Sequence, residues 1–154
     1  MLRTIIIALI LFTLDALMLN SFIIALIAGV VIVIKFFKSE KLTRQQLLKG
    51  GIYAFMIIMI ITANGINNRI AKSRAEMLIT YCEKYKQKHG AYPTELTDLV
   101  PEFLDKIPPP KYLLGNNEFH YLSWNGKHTL YYVLFQPFGA RMYHFETHKW
   151  HSTD

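Results

Sequence analysis

The sequence predicts an α+β protein: two or three N-terminal transmembrane spans, then a small domain built from a long helix, a proline-rich strap and a three-stranded antiparallel sheet. Three observations predict it. Between Thr4 and Ile34 the only charged residue is Asp15, and between Gly50 and Ile66 there is none. Residues 89–110, "HGAYPTELTDLVPEFLDKIPPP", hold five prolines among regularly spaced apolar residues. Asn125-Gly126 then separates two runs of alternating apolar character.

Residues 1–49 form the membrane anchor with its basic loop. About 20 apolar residues span a bilayer core, with a lower limit near 17. Thr4–Ile34 exceeds that, which allows one long tilted span or a hairpin of Leu2–Leu19 and Ser21–Phe37 turning at Asn20-Ser21. It lacks the short apolar run and small-residue cleavage site of a secretory signal. Asp15 is the one ionisable group inside it, a costly placement that suits an interfacial position near the turn. Gly50–Ile66 is the last transmembrane helix, and residues 67–154 form the domain beyond it.

Charge orients the chain. The loop "KFFKSEKLTRQQLLK" carries five basic residues against Glu40, a cytoplasmic signature that places the C-terminal domain outside the cytoplasm. The net charge of +6 is mostly of this origin. Residues 1–50 contribute +4 and residues 51–154 only +2. No stripe of Lys and Arg interleaved with stacking aromatics occurs, so the expected partner is the lipid bilayer and not nucleic acid. A single cysteine, Cys82, excludes an intramolecular disulfide framework and falls in line with Leu78 and Tyr85 as a buried thiol.

From Asn64 onward the chain reads as an amphipathic helix, with Ile66, Ile70, Leu78, Cys82 and Tyr85 near one face and Gly90 as its stop. Tyr92-Pro93 forces an extended exit. A short helix over Glu95–Val100, capped by Thr94 and ended by Pro101, follows. Leu96, Leu99, Val100, Phe103 and Leu104 fall at spacings that pack this strap back on the long helix. Pro108-Pro109-Pro110 leads out as a rigid extended segment. The strap is thus Tyr92, Pro93, Leu96, Leu99, Val100, Pro101, Phe103 and Leu104. The strands follow: "EFHYLSW", the Asn125-Gly126 turn of type I′, "KHTLYYVLF", a turn over Pro137–Ala140, and "RMYHFET". Their Tyr, Phe, Leu and Trp side chains are expected to cover the helix.

The segments Gly90-Ala91-Tyr92-Pro93 and Leu99-Val100-Pro101-Glu102-Phe103-Leu104, placed between a membrane-rooted helix and a small sheet, resemble type IV pilins and the pseudopilins of type II secretion. The resemblance covers residues 50–125. It implies a pilin-like extracytoplasmic domain on the bacterial inner (cytoplasmic) membrane that binds related proteins. Lys49-Gly50-Gly51-Ile52-Tyr53-Ala54-Phe55 echoes a prepilin cleavage site, but Phe55 stands where the pilin pattern has Glu, and an apolar anchor precedes it. No processing after Gly50 is expected.

Catalytic signatures are missing: no nucleophile elbow, phosphate loop or kinase set occurs, and the carboxylates of Glu95, Asp98, Glu102 and Asp105 read as solvated charge. His144, Glu146 and His148 would alternate onto one face of a strand and are the candidate metal ligands. A solvated chain end is the commoner origin of such a cluster, and no His-Glu-x-x-His motif supports an open site. The sequence calls for no cofactor. The expected function is non-enzymatic: an accessory or assembly component of an envelope, secretion or pilus system, using its domain for protein–protein binding. The alternative is a membrane immunity protein that protects its host against a bacteriocin or an envelope-targeting toxin.

Overall fold

Helix-forming signals in the membrane-proximal half start earlier than Gly50. Thr43 and Gln46 form a reciprocal cap: the Thr43 amide and hydroxyl donate to Gln46 Oε1 at 2.9 and 3.0 Å, and the Gln46 amide approaches Thr43 Oγ1 at 3.4 Å. This is a capping box, which satisfies amides that the first turn leaves unpaired. The computed structural model of the chain describes residues 2–18, 29, 34, 43–112, 118–134 and 139–153. Within them α1 spans Leu2–Met18 and α2 spans Arg44–His89.

The 46 residues of α2 extend about 69 Å at 1.5 Å each. Gly50–Ile66 and the polar helix after it belong to this one helix. Asn64 donates its Nδ2 to the Ile60 carbonyl at 3.2 Å and keeps its polar group satisfied within the helix. Gly90 ends the helix at φ 84°, a left-handed position that a glycine takes without strain. Its amide closes the last turn on the Lys86 carbonyl at 2.8 Å.

Among the described residues, α2 is the one helix long and apolar enough to cross a membrane. The chain divides into two compact units, one taking in Met1–Gly65 and one starting at Ile66. In the first, Ala8 of α1 is buried with Met56 and Ile60 of α2. The proposed turn at Asn20-Ser21 lies outside the described residues.

The second unit holds the sheet. Its strands are β1 (His120–Trp124), β2 (Lys127–Val133), β3 (Ala140–His144) and β4 (Lys149–Thr153). They form an antiparallel meander in the order β1-β2-β3-β4, so the sheet has four strands and not the three expected. "RMYHFET" stops being a strand at His144. Phe145–His148 reverses the chain, with His148 at φ 52°, and the C-terminal residues return to pair Ala140 with Thr153 and His144 with Lys149. A tail that reads as a solvated end closes the sheet because pairing satisfies its backbone groups.

The core lies between α2 and one face of this sheet. Ala71, Ala75, Leu78 and Cys82, spaced four, three and four residues apart, are fully buried against Leu130, Tyr132 and Phe145. The small side chains of Ala71 and Ala75 bring the helix close to the sheet. Aromatic pairs lock the layer: Tyr143 meets Phe145 edge-on with centroids 5.1 Å apart, and Phe119 meets Tyr132 at 5.8 Å.

Candidate functional site

The strap fastens the two layers. Leu96 and Leu99 are buried in the core, and Tyr92, Phe103 and Leu104 pack around it. The short helix is a 3₁₀ turn, Leu96–Leu99, tighter than the expected Glu95–Val100. Its N-cap is Glu95 and not Thr94, and Asp98 at the third position closes a capping box with it. The Asp98 carboxylate accepts from the amides of Thr94 and Glu95 at 2.8 and 3.0 Å and from the Thr94 hydroxyl at 2.9 Å. The Glu95 backbone bond, with help from Thr94, holds Asp98 below the usual carboxylate range. Pro93 is fully buried, and its carbonyl accepts the Tyr121 hydroxyl at 3.0 Å. Val100 is half-buried and precedes Pro101 through a cis bond. Phe103 touches the rings of Tyr81 and Tyr85 on α2.

Polar groups join the strap and the β3–β4 turn to α2. The Tyr92 hydroxyl donates to Glu83 at 2.8 Å, with burial and then Glu83 raising its pKa. His148 Nδ1 lies 3.7 Å from the same Glu83 carboxylate and 3.2 Å from the Tyr143 hydroxyl. Glu146 accepts from the His128 amide at 2.7 Å and meets its ring at 3.0 Å. Burial pushes the Glu146 pKa upward, but the bonds from its own backbone and from His128 outweigh this and leave it lowered.

The three candidate metal ligands are therefore separated. His144 lies on β3 and meets the Thr129 hydroxyl at 3.1 Å. Glu146 and His148 belong to the turn and point their polar atoms at His128 and Glu83. The alternation that would align them needs an extended chain, and the chain turns at Phe145. No group of three or more His, Cys, Asp or Glu side chains is placed to hold a metal among the described residues.

Two groups escaped the sequence reading. Lys111, just after the triple proline, is 1% exposed. It donates to the Leu134 carbonyl at 2.6 Å, and burial pushes its pKa down to about 8. Cys82, read as buried, has its pKa pushed up to about 12 by burial and then by the charge of Glu83, which keeps the thiol protonated.

The second is the outer face of the sheet. Side chains alternate across a strand, so Tyr121, Leu130, Tyr132, Tyr143 and Trp150 face α2. His120, Leu122 and Trp124, together with Tyr131, Met142, His144 and His151, face away. Leu122 is 57% exposed and Trp124 77%. The expectation that the Leu and Trp side chains would cover the helix fails at these two positions, because "EFHYLSW" carries large residues in both parities. His120 stacks on Tyr131 at 4.7 Å across the strands. The four strands contain no Asp or Glu, and Lys127 and Lys149 lie on this outward side. The result is a solvent-facing surface of aromatic, apolar and basic groups.

No family model, curated protein or solved structure matches this chain.

Proposed function

We propose that this chain is a non-enzymatic, membrane-anchored binding module that docks a protein partner on the outer face of its sheet. The observation that carries this reading is the exposure of Leu122 and Trp124 within strands free of carboxylates. Large exposed apolar and aromatic groups mark interaction surfaces, and Trp dominates binding energy where it enters a pocket. Docking would bury both and favour an acidic rim on the partner.

The anchor is α2, with α1 and the segment after it supplying the second or third span of a multi-pass protein in the bacterial inner membrane. The basic Arg44 and Lys49 at the start of α2 support a cytoplasmic start and an extracytoplasmic sheet. A helix that begins in the bilayer, a strap with Gly90-Ala91-Tyr92-Pro93 and an antiparallel meander support a pilin-like domain. Such a module suits an accessory or assembly role in an envelope, secretion or pilus system. Phe55 lines an apolar recess of about 310 Å³ between α1 and α2, with Ile5, Ala8 and Ile52.

Site-specific photocross-linkers at Leu122 and Trp124 in living cells test the reading. A discrete adduct with an envelope protein, absent when the probe sits at Asp105 on the strap, is the expected result. Adducts of equal yield from all three positions, or from none, refute it. Mass spectrometry of the adduct distinguishes a secretion or pilus subunit from a toxin, the outcome that would favour the immunity role.

A further inference from the structure

His144 and His151 come together on the outer face of the sheet. Their ring centroids are 5.2 Å apart and the planes cross at 70°. The register places His151 directly opposite Met142, and Met142 lies two residues from His144 on the same face of β3. Two imidazoles and a thioether thus share one small patch. From these placements we propose that the β3–β4 face binds a single monovalent copper ion through His144, His151 and Met142.

The spacing suits a shared ion. An imidazole nitrogen bound at about 2.0–2.1 Å leaves its ring centroid about 3.2 Å from the metal, so two such rings stand about 5.2–5.5 Å apart in tetrahedral or trigonal geometry. An edge-to-face ring pair on diagonal cross-strand positions takes the same spacing, so the two rings can receive an ion without moving apart. His144 Nδ1 lies 3.1 Å from the Thr129 hydroxyl, an oxygen that can accept its proton when a metal takes the Nε2 lone pair. Orientation of a ligating imidazole by a bond at its other nitrogen is the usual outer-shell arrangement.

Ligand chemistry selects the metal. A thioether is a soft ligand, favoured by monovalent copper, whereas hard dications take oxygen ligands. The strands offer no carboxylate. Lys149, paired opposite His144, repels a dication twice as strongly as a monocation at the same distance. The turn that joins the two strands is held by Glu146 on His128 and by His148 near Glu83, so β3 and β4 present the patch on a fixed frame. This site is separate from the Leu122–Trp124 surface on β1, and its test does not depend on any protein partner.

The experiment titrates the full-length chain in detergent micelles, without oxygen, against a chromogenic chelator loaded with monovalent copper. Wild type is expected to withdraw one ion per chain, and copper should raise its unfolding temperature. His144→Ala and His151→Ala should each weaken binding by more than the roughly 10–100-fold that loss of an outer-shell partner costs, and Thr129→Val should fall within that range. Met142→Leu should lose monovalent copper affinity while leaving the weaker zinc binding unchanged. His120→Ala, with the same near-ultraviolet spectrum as wild type, should bind as wild type does. Equal copper binding by wild type and a folded His144→Ala/His151→Ala double variant overturns the proposal. So does tighter binding of zinc than of copper, or a Met142→Leu variant that retains full copper affinity.

Discussion

Leu99→Ala is the most informative single perturbation of the strap. Leu99 is fully buried, in the core shared by α2, the strap and the sheet. Truncation removes three carbon groups, worth about 2.4 kcal/mol at 0.8 kcal/mol each. A cavity that relaxes only in part adds about 24 cal/mol per Å³ left empty, which brings the expected loss to about 2.5–5 kcal/mol. Single domains hold only about 5–15 kcal/mol in total, so this is a large share. The assay is denaturant unfolding of the full chain in detergent, followed by Trp fluorescence, with limited proteolysis as a second probe. Leu122→Ala serves as the control, because a residue exposed on the outer face should change stability by less than about 0.5 kcal/mol. A Leu99→Ala loss below about 1 kcal/mol, or one matched by Leu122→Ala, would mean that the strap does not clamp the two layers.

Other expectations rest on single groups. Asp98→Ala frees two amides and a hydroxyl and should destabilise the domain by about 0.5–2 kcal/mol, the range for loss of a helix cap; an unchanged denaturation midpoint would refute that role. Lys111 has a folded pKa of about 8 against an ordinary 10.5, so the unfolded chain binds its proton more tightly. Stability should therefore rise as pH climbs from about 8, until Cys82, ordinarily 9.0 and held near 12 in the fold, opposes it above pH 9. Midpoints measured between pH 7.5 and 9 should increase, and Lys111→Met should flatten the slope; a fall across that window contradicts the assignment. A reporter that works only outside the cytoplasm should be active when fused after Asp154, and an inactive fusion reverses the topology. Intact mass from cells containing prepilin peptidase should match the unprocessed chain, and a form beginning at Gly51 would refute the expectation that the chain is not cleaved after Gly50.

The α+β composition, the apolar stretch within α2 and the turn at Asn125-Gly126 were legible in the sequence because each is a local matter. Spanning depends on composition over one segment. The turn depends on two residues that accept positive φ, 49° at Asn125 and 70° at Gly126. The start of α2 at Arg44 was legible too, in Thr43 and Gln46 three residues apart, but an apolar count from Gly50 passes over a polar cap. What remained was non-local. Large side chains of both parities in β1 leave it undecided which row faces α2 until β2 and the helix pair with it. The return of Lys149–Thr153 depends on an open edge at β3, which the strand's own residues do not announce. Lys111 carries no local mark of burial; packing around the triple proline encloses it. His144 met His151, and not Glu146 and His148, because the chain reversed at Phe145, and strand register alone decides which residues then stand opposite.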